Sequence, residues 1–161
     1  MIRREMLGTL GAGVGLMALG ANANAAAPDD KHEHHMHDKV HADCLKACGE
    51  CAVSCNETYH HCGGMVASGK ADHYKSMILL GDCATFCAHS ACLISKHSPL
   101  MAHSCAACAE ACKDTIAEVA KFDSSEMKEA VTALKACESS CRAMVAAMKS
   151  GHPHHADSKA G

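Results

Sequence analysis

Apolar and sulfur-bearing positions recur along this chain in steps of three and four residues, the period of one face of an α-helix, and nowhere in the alternation of a half-buried strand. The first stripe is Cys44, Cys48, Cys51, Cys55 and Cys62, spaced by 4, 3, 4 and 7 residues, with His37, His41 and Met65 extending it. The second carries Cys83 and Cys87, with Leu80, Ile94 and His97 in register. The third runs Met101, Cys105, Cys108, Cys112 and the fourth Leu134, Cys137, Cys141, Met144, Met148. Cys92 is out of phase. At about 100° per residue it points roughly opposite to Cys83, so it either faces outward or marks a local distortion.

Breaks between the stripes carry boundary residues. Gly63-Gly64 and Ser68-Gly69 follow the first stripe, and Ser98-Pro99 reads as an N-cap with proline in the first helical turn. Asp123 with Glu126 resembles a capping box ahead of the last helix. These signals predict helices over 38–66, 71–97, 99–120 and 124–150. Connections this short favour antiparallel neighbours, so the predicted fold is all-α, an antiparallel up-down-up-down four-helix bundle with a cysteine-lined core.

In that topology the start of the first helix, the end of the second, the start of the third and the end of the fourth share one end of the bundle. Counted from there at about 1.5 Å per residue, twelve of the thirteen cysteines crowd one half of the axis. Leu79, Leu80, Ile116, Val119, Val131 and Leu134 fill the other half, where Cys62 alone is expected among the cysteines. Ten of the fourteen histidines lie at or beyond the cysteine-rich end, with Met36, Met101, Met144 and Met148. The expectation is an entry mouth there, where exchangeable soft ligands pass metal inward; the alternative for the methionines is filling gaps in the core, for Met144 an equally direct reading.

The termini differ from the bundle. Residues 1–25 place Arg3-Arg4 before a glycine-rich, weakly apolar stretch and the small-residue run Ala21 to Ala25, the form of a twin-arginine signal peptide cut after Ala23 or Ala25. The stretch is too short and too rich in glycine to suit a membrane span. Residues 26–37 form a His-rich N-terminal tail, 38–150 the metal-binding bundle and 151–161 a His-containing C-terminal tail. Such tails read either as solvated ends or as metal-capture segments. Export through this route, to the periplasm or another extracytoplasmic space, moves chains already folded, which shields their thiols.

Composition sharpens the picture. Of 161 residues, 13 are Cys, 14 His and 10 Met, against 2 Phe, 2 Tyr and no Trp. Aromatic rings usually supply much of a core's buried area, so this interior must be built from Ala, Leu, Met and Cys. A net charge of -3 offers no basic excess to attract nucleic acid or an anionic membrane. An odd number of cysteines leaves at least one thiol outside any intramolecular disulfide.

Five pairs share the spacing C-x-x-x-C: Cys44/Cys48, Cys51/Cys55, Cys83/Cys87, Cys108/Cys112 and Cys137/Cys141. Residues four apart on a helix hold their side chains about 5–6 Å apart, a reach suited to two sulfurs gripping one ion. Zinc wants four tetrahedral ligands, which one straight helix cannot wrap around an ion, although sites between helices remain open. Charge points further toward monovalent ions. A four-thiolate zinc centre keeps two net negative charges, whereas one Cu(I) per thiolate sums to zero, and uncompensated buried charge costs several kcal/mol per ion. Many Cu(I) ions, roughly one per core cysteine, is therefore the expected load. Iron–sulfur clusters need cysteines converging from irregular turns. Two other readings stand beside a metal store, a disulfide-stapled structural module and a redox or electron-transfer protein. An enzyme is not indicated, because ionisable residues off the cysteine stripes show no acid–base or nucleophile grouping.

With its repeated C-x-x-x-C pairs, thirteen cysteines and paired N-terminal arginines, the chain resembles the bacterial copper storage proteins, and specifically their exported members. The resemblance covers essentially the whole chain beyond residue 25. It implies storage of many Cu(I) ions inside each bundle, assembly into a homotetramer, and supply of copper to accepting enzymes or chaperones, such as the methane-oxidising enzymes of methanotrophs. It assigns thiolate ligation to Cys44, Cys48, Cys51, Cys55, Cys62, Cys83, Cys87, Cys105, Cys108, Cys112, Cys137 and Cys141, and less directly to Cys92. The family's Met/His mouth maps onto His41, Met101 and Met148.

Overall fold

The computed structural model of the protein describes residues 39–150; the twin-arginine segment, both His-rich tails and His37 lie outside the described residues. Four helices account for most of that span: α1 Lys39–Ala67, α2 Tyr74–Ser95, α3 Met101–Val119 and α4 Ser125–Ser150, with a single 3₁₀ turn at Ala71–His73 leading into α2. Each helix packs on its neighbours in sequence and α4 closes the ring against α1, which makes the up-down-up-down bundle.

Helix ends are set by backbone chemistry. After α1, Gly69 takes φ +93°. Its N–H bonds to Val66 O at 3.0 Å and that of Lys70 to Met65 O at 3.0 Å, which satisfies two carbonyls of the last turn. The same pair of bonds ends α2, from the N–H of His97 to Ile94 O and of Ser98 to Leu93 O, both 3.0 Å. There the left-handed residue is His97, at φ 50°, a conformation that costs a residue with a Cβ what it spares glycine. The helix thus stops at Ser95, and His97, expected on the inward stripe, turns out to solvent.

Two other details differ from the sequence reading. Ser98 Oγ accepts a bond from the Leu100 N–H at 3.2 Å, but regular helix begins only at Met101. Before α4 the cap is Ser124, whose Oγ accepts from the Met127 N–H at 3.4 Å, while Asp123 pairs instead with Lys128 Nζ at 2.6 Å. The expected Asp123/Glu126 box does not form, because Ser124 caps the helix one position later and accepts from the Met127 N–H instead.

The core divides along its length. Sulfur fills the half towards the start of α1. Leu80, Val119, Met127, Ala130 and Leu134 fill the other, all fully buried, with Ile116 and Val131 packed against them. Leu79 is only half-buried, at the edge of a surface cleft beside Lys75 and Glu118. Two buried threonine hydroxyls in this layer are satisfied locally. Thr58 Oγ1 donates to Ser54 O at 2.9 Å, and Thr115 Oγ1 lies 2.8 Å from Ala111 O and 3.3 Å from Leu79 O across the helix interface. The pair of Arg142 with Glu110 at 3.1 Å joins exposed groups and adds little.

Metal-free folding should therefore depend on the apolar half. Leu134→Ala, at a site with no exposure, is expected to destabilise the apoprotein by about 2–4 kcal/mol in urea unfolding. Val53→Ala, at a site 59% exposed, should change it by less than about 0.5 kcal/mol. Equal effects would contradict this division of the core.

Candidate metal centre

Helical period carries the cysteines to the axis. Twelve are buried and Cys92 is exposed. Cys92 is a correction to the set of inward thiols: it sits on the outer face of α2, as its phase requires, and adds no sulfur to the interior. The cysteine-rich half therefore holds eleven thiols rather than twelve, since Cys62 stands apart at the far end.

Those eleven form one connected column. Across helices, Cys48 Sγ lies 3.5 Å from Cys141, Cys83 3.6 Å from Cys112, Cys87 3.6 Å from Cys108 and 3.8 Å from Cys137, and Cys44 3.8 and 3.9 Å from Cys141 and Cys105. Along helices, Cys51–Cys55, Cys83–Cys87 and Cys137–Cys141 are 3.9, 4.0 and 4.0 Å apart. Four groups hold all their sulfurs within 4.8 Å of one another: Cys48/Cys108/Cys137/Cys141, Cys51/Cys83/Cys87/Cys112, Cys87/Cys108/Cys112/Cys137 and Cys44/Cys105/Cys141. Metal–sulfur bonds of about 2.3 Å at trigonal angles place sulfurs about 4 Å apart, so the spacing suits shared soft ions without rearrangement. Every group draws on at least two helices. Three of the five single-helix pairs visible in the sequence, Cys83/Cys87, Cys108/Cys112 and Cys137/Cys141, are edges of these larger sets, while Cys44 and Cys48 join different sets.

Protonation follows from the same contacts. Cys137 and Cys83 are held below the ordinary thiol range, chiefly by hydrogen bonds from Cys108 and Cys112 respectively. Their neighbours keep protons: Cys87, bonded first to Cys108, and Cys141, bonded first to Cys105, are pushed well up. At the far end burial alone raises Cys62. A thiolate here survives only among donors, and each one formed locks protons onto the next.

The expected mouth residues gather at the Cys44 end. His41 is half-buried, its buried Nδ1 has no hydrogen-bond partner among the described residues, and its ring centroid is 6.0 Å from that of His97. Met101 is buried and Met148 half-buried. Met144, equally readable as filler, is fully buried one turn beyond Cys141. Ser90, one turn beyond Cys87, is fully buried with an unpartnered hydroxyl. Sequence reasoning missed His73 and Met127 beside Cys62. Met127 lies seven residues before Leu134 and so shares its face, but His73 belongs to the 3₁₀ turn, where no period announces it.

An all-α bundle with a closed interior column of thiols defines a soft-metal-binding protein. The chain belongs to the copper storage protein family, which it matches over residues 25–146. Among solved structures it is similar to the Cu(I)-bound copper storage protein BsCsp3, at 27% identity and a TM-score of 0.62, with 66% of this chain and 99% of that chain covered. No curated protein matches the chain.

Protonated thiols must lose their protons when metal arrives. Loading at neutral pH is expected to release one proton for each ion bound at a protonated thiol, and so fewer than one per ion overall because Cys83 and Cys137 are already held as thiolates, read by titration in weak buffer. The raised Cys62 thiol gives the pH dependence its sign: its contribution to apoprotein stability is complete below the ordinary thiol pKa of 9.0 and is lost as pH rises through the higher folded value. The apoprotein should lose melting temperature above about pH 9, while the loaded protein, its thiols already deprotonated, should not. Parallel curves would refute this.

Proposed function

We propose that this protein is an exported, non-catalytic store that sequesters many Cu(I) ions on the thiolates of its bundle interior and supplies them to copper enzymes. The observation that carries this reading is the column of eleven buried thiols in mutual contact across all four helices. Charge selects the ion. One monovalent soft cation per thiolate leaves the interior neutral, whereas divalent ions need extra thiolates whose residual charge the apolar shell cannot solvate. Export rests on the paired arginines and the small-residue run of residues 1–25, with an extracytoplasmic destination such as the periplasm.

Assembly into a homotetramer belongs to the same reading. The stretch Ala71–Ser95 is long and apolar enough to cross a membrane by length and composition, with a mean hydropathy of 1.6. Its inward face is packed in the bundle; its outward face leaves Tyr74 and Ile78 56% and 42% exposed. A second copy covers such a surface without a membrane.

Anaerobic titration of the reduced protein with Cu(I) under chelator competition should show roughly one tight equivalent per core cysteine, with a large rise in melting temperature on loading. Uptake of only one or two equivalents, or an unmoved midpoint, would end the store reading. Ile78→Glu should shift light scattering to smaller species and leave copper per chain unchanged. A tetramer that survives it places the interface elsewhere.

A further inference from the structure

At the end of the bundle away from Cys44 a second set of soft donors meets, built from three elements. Cys62 Sγ of α1 lies 3.9 Å from Nδ1 of His73 in the 3₁₀ turn and 3.8 Å from Sδ of Met127 in α4. Cys62 and Met127 are fully buried and His73 is 5% exposed. The imidazole is held by stacking on Phe122, with centroids 4.0 Å apart and planes 28° from parallel. Around the trio are polar atoms with no hydrogen-bond partner among the described residues. Ser76, one turn beyond His73 on the inward face of α2, is fully buried with its hydroxyl unpartnered. Nε2 of His61 is also buried and unpartnered, its ring 6.2 Å from that of His73.

Both distances from Cys62 fit a three-coordinate ion. With bonds of about 2.0 Å to nitrogen and about 2.3 Å to sulfur, trigonal angles put S and N about 3.8 Å apart and two sulfurs about 4.0 Å apart. This cluster is insulated from the thiol column. Thr58, Leu80, Thr115 and Leu134, all buried, each stand three residues beyond Cys55, Cys83, Cys112 and Cys137 respectively, and together they close the bundle between the two. Seven residues of α1 separate Cys55 from Cys62, an axial distance of about 10 Å. An ion at Cys62 shares no thiolate with the column.

We propose that Cys62, His73 and Met127 form a separate, single-ion Cu(I) site, independent of the thiolate column in its ligands and in its loading. One thiolate with two neutral donors balances one monovalent ion, whereas a divalent ion would leave an unmatched positive charge in an apolar setting. On binding, the Cys62 thiol releases its proton to solvent and the sulfur forms the bond to copper, with no change of oxidation state. The site rests on the soft-ion chemistry of the store but on none of the store's cysteines.

The test uses the reduced full-length chain with Cu(I), and ¹⁰⁹Ag(I) as a magnetic stand-in. His73→Leu and Met127→Leu are each expected to lower saturating Cu(I) uptake by one equivalent and leave the competition curve of the remaining ions unchanged. In the unsubstituted protein, ¹⁵N spectra of the ¹⁰⁹Ag(I)-loaded chain should show Nδ1 of His73 split by coupling to silver. That readout needs no variant to fold and does not respond to a packing role. Undiminished uptake in folded variants, or an unsplit His73 Nδ1 in a saturated protein, overturns the site. Should the unsubstituted protein take up a single ion with His73 Nδ1 split, the store reading falls and this site stands.

Discussion

Thiols packed against one another in an apolar interior have two comfortable states, neutral S–H groups or thiolates matched by cations of equal total charge. Everything in this bundle follows from that restriction. Within the metal-free column, a thiolate at Cys137 or Cys83 exists only because neighbouring sulfurs donate to it, and its formation holds the protons of Cys87 and Cys141 in place. Metal entry replaces this network, displacing a proton from each sulfur that still carries one. Selectivity for soft monovalent ions then needs no special pocket shape, since the penalty falls on any ion whose charge the local sulfurs cannot cancel.

Filling half a core with cysteine has a structural cost, because the side chain is small. The other half compensates with Leu80, Leu134, Met127 and Val119, and the hydroxyls of Thr58 and Thr115 are tied to backbone carbonyls instead of competing for the column. The molecule thus sets an apolar packing layer beside the thiol column along a single axis. With no tryptophan and both tyrosines on the surface, no bulky ring interrupts the sulfur contacts.

How far the sequence carried this picture depended on period. The stripes counted twelve cysteines in one half of the axis and marked Cys92 among them as out of phase; the structure keeps eleven there in the interior and turns Cys92 outward, as helix phase requires. What escaped lay where period stops. The left-handed turn at His97 ends α2 without the glycine that marks the matching turn at Gly69, so His97 was assigned to the inward face. Ser124 displaced Asp123 as the cap by a single register step that spacing does not resolve. His73 reaches Cys62 from a short 3₁₀ turn, and Met127 reaches it from sixty-five positions away. Contacts between helices depend on rotation about each axis, which one sequence constrains only through its stripes.

The sulfur column also has no gaps. From Cys44 to Cys141, Cys137, Cys87, Cys83 and Cys112, each step is 4.0 Å or less. An ion bound anywhere along it can be handed to the next thiolate by exchanging one bond at a time, never passing through a desolvated, ligand-free position. Filling and emptying can then advance as a front from an end, so a long closed rod needs no gate beside each berth.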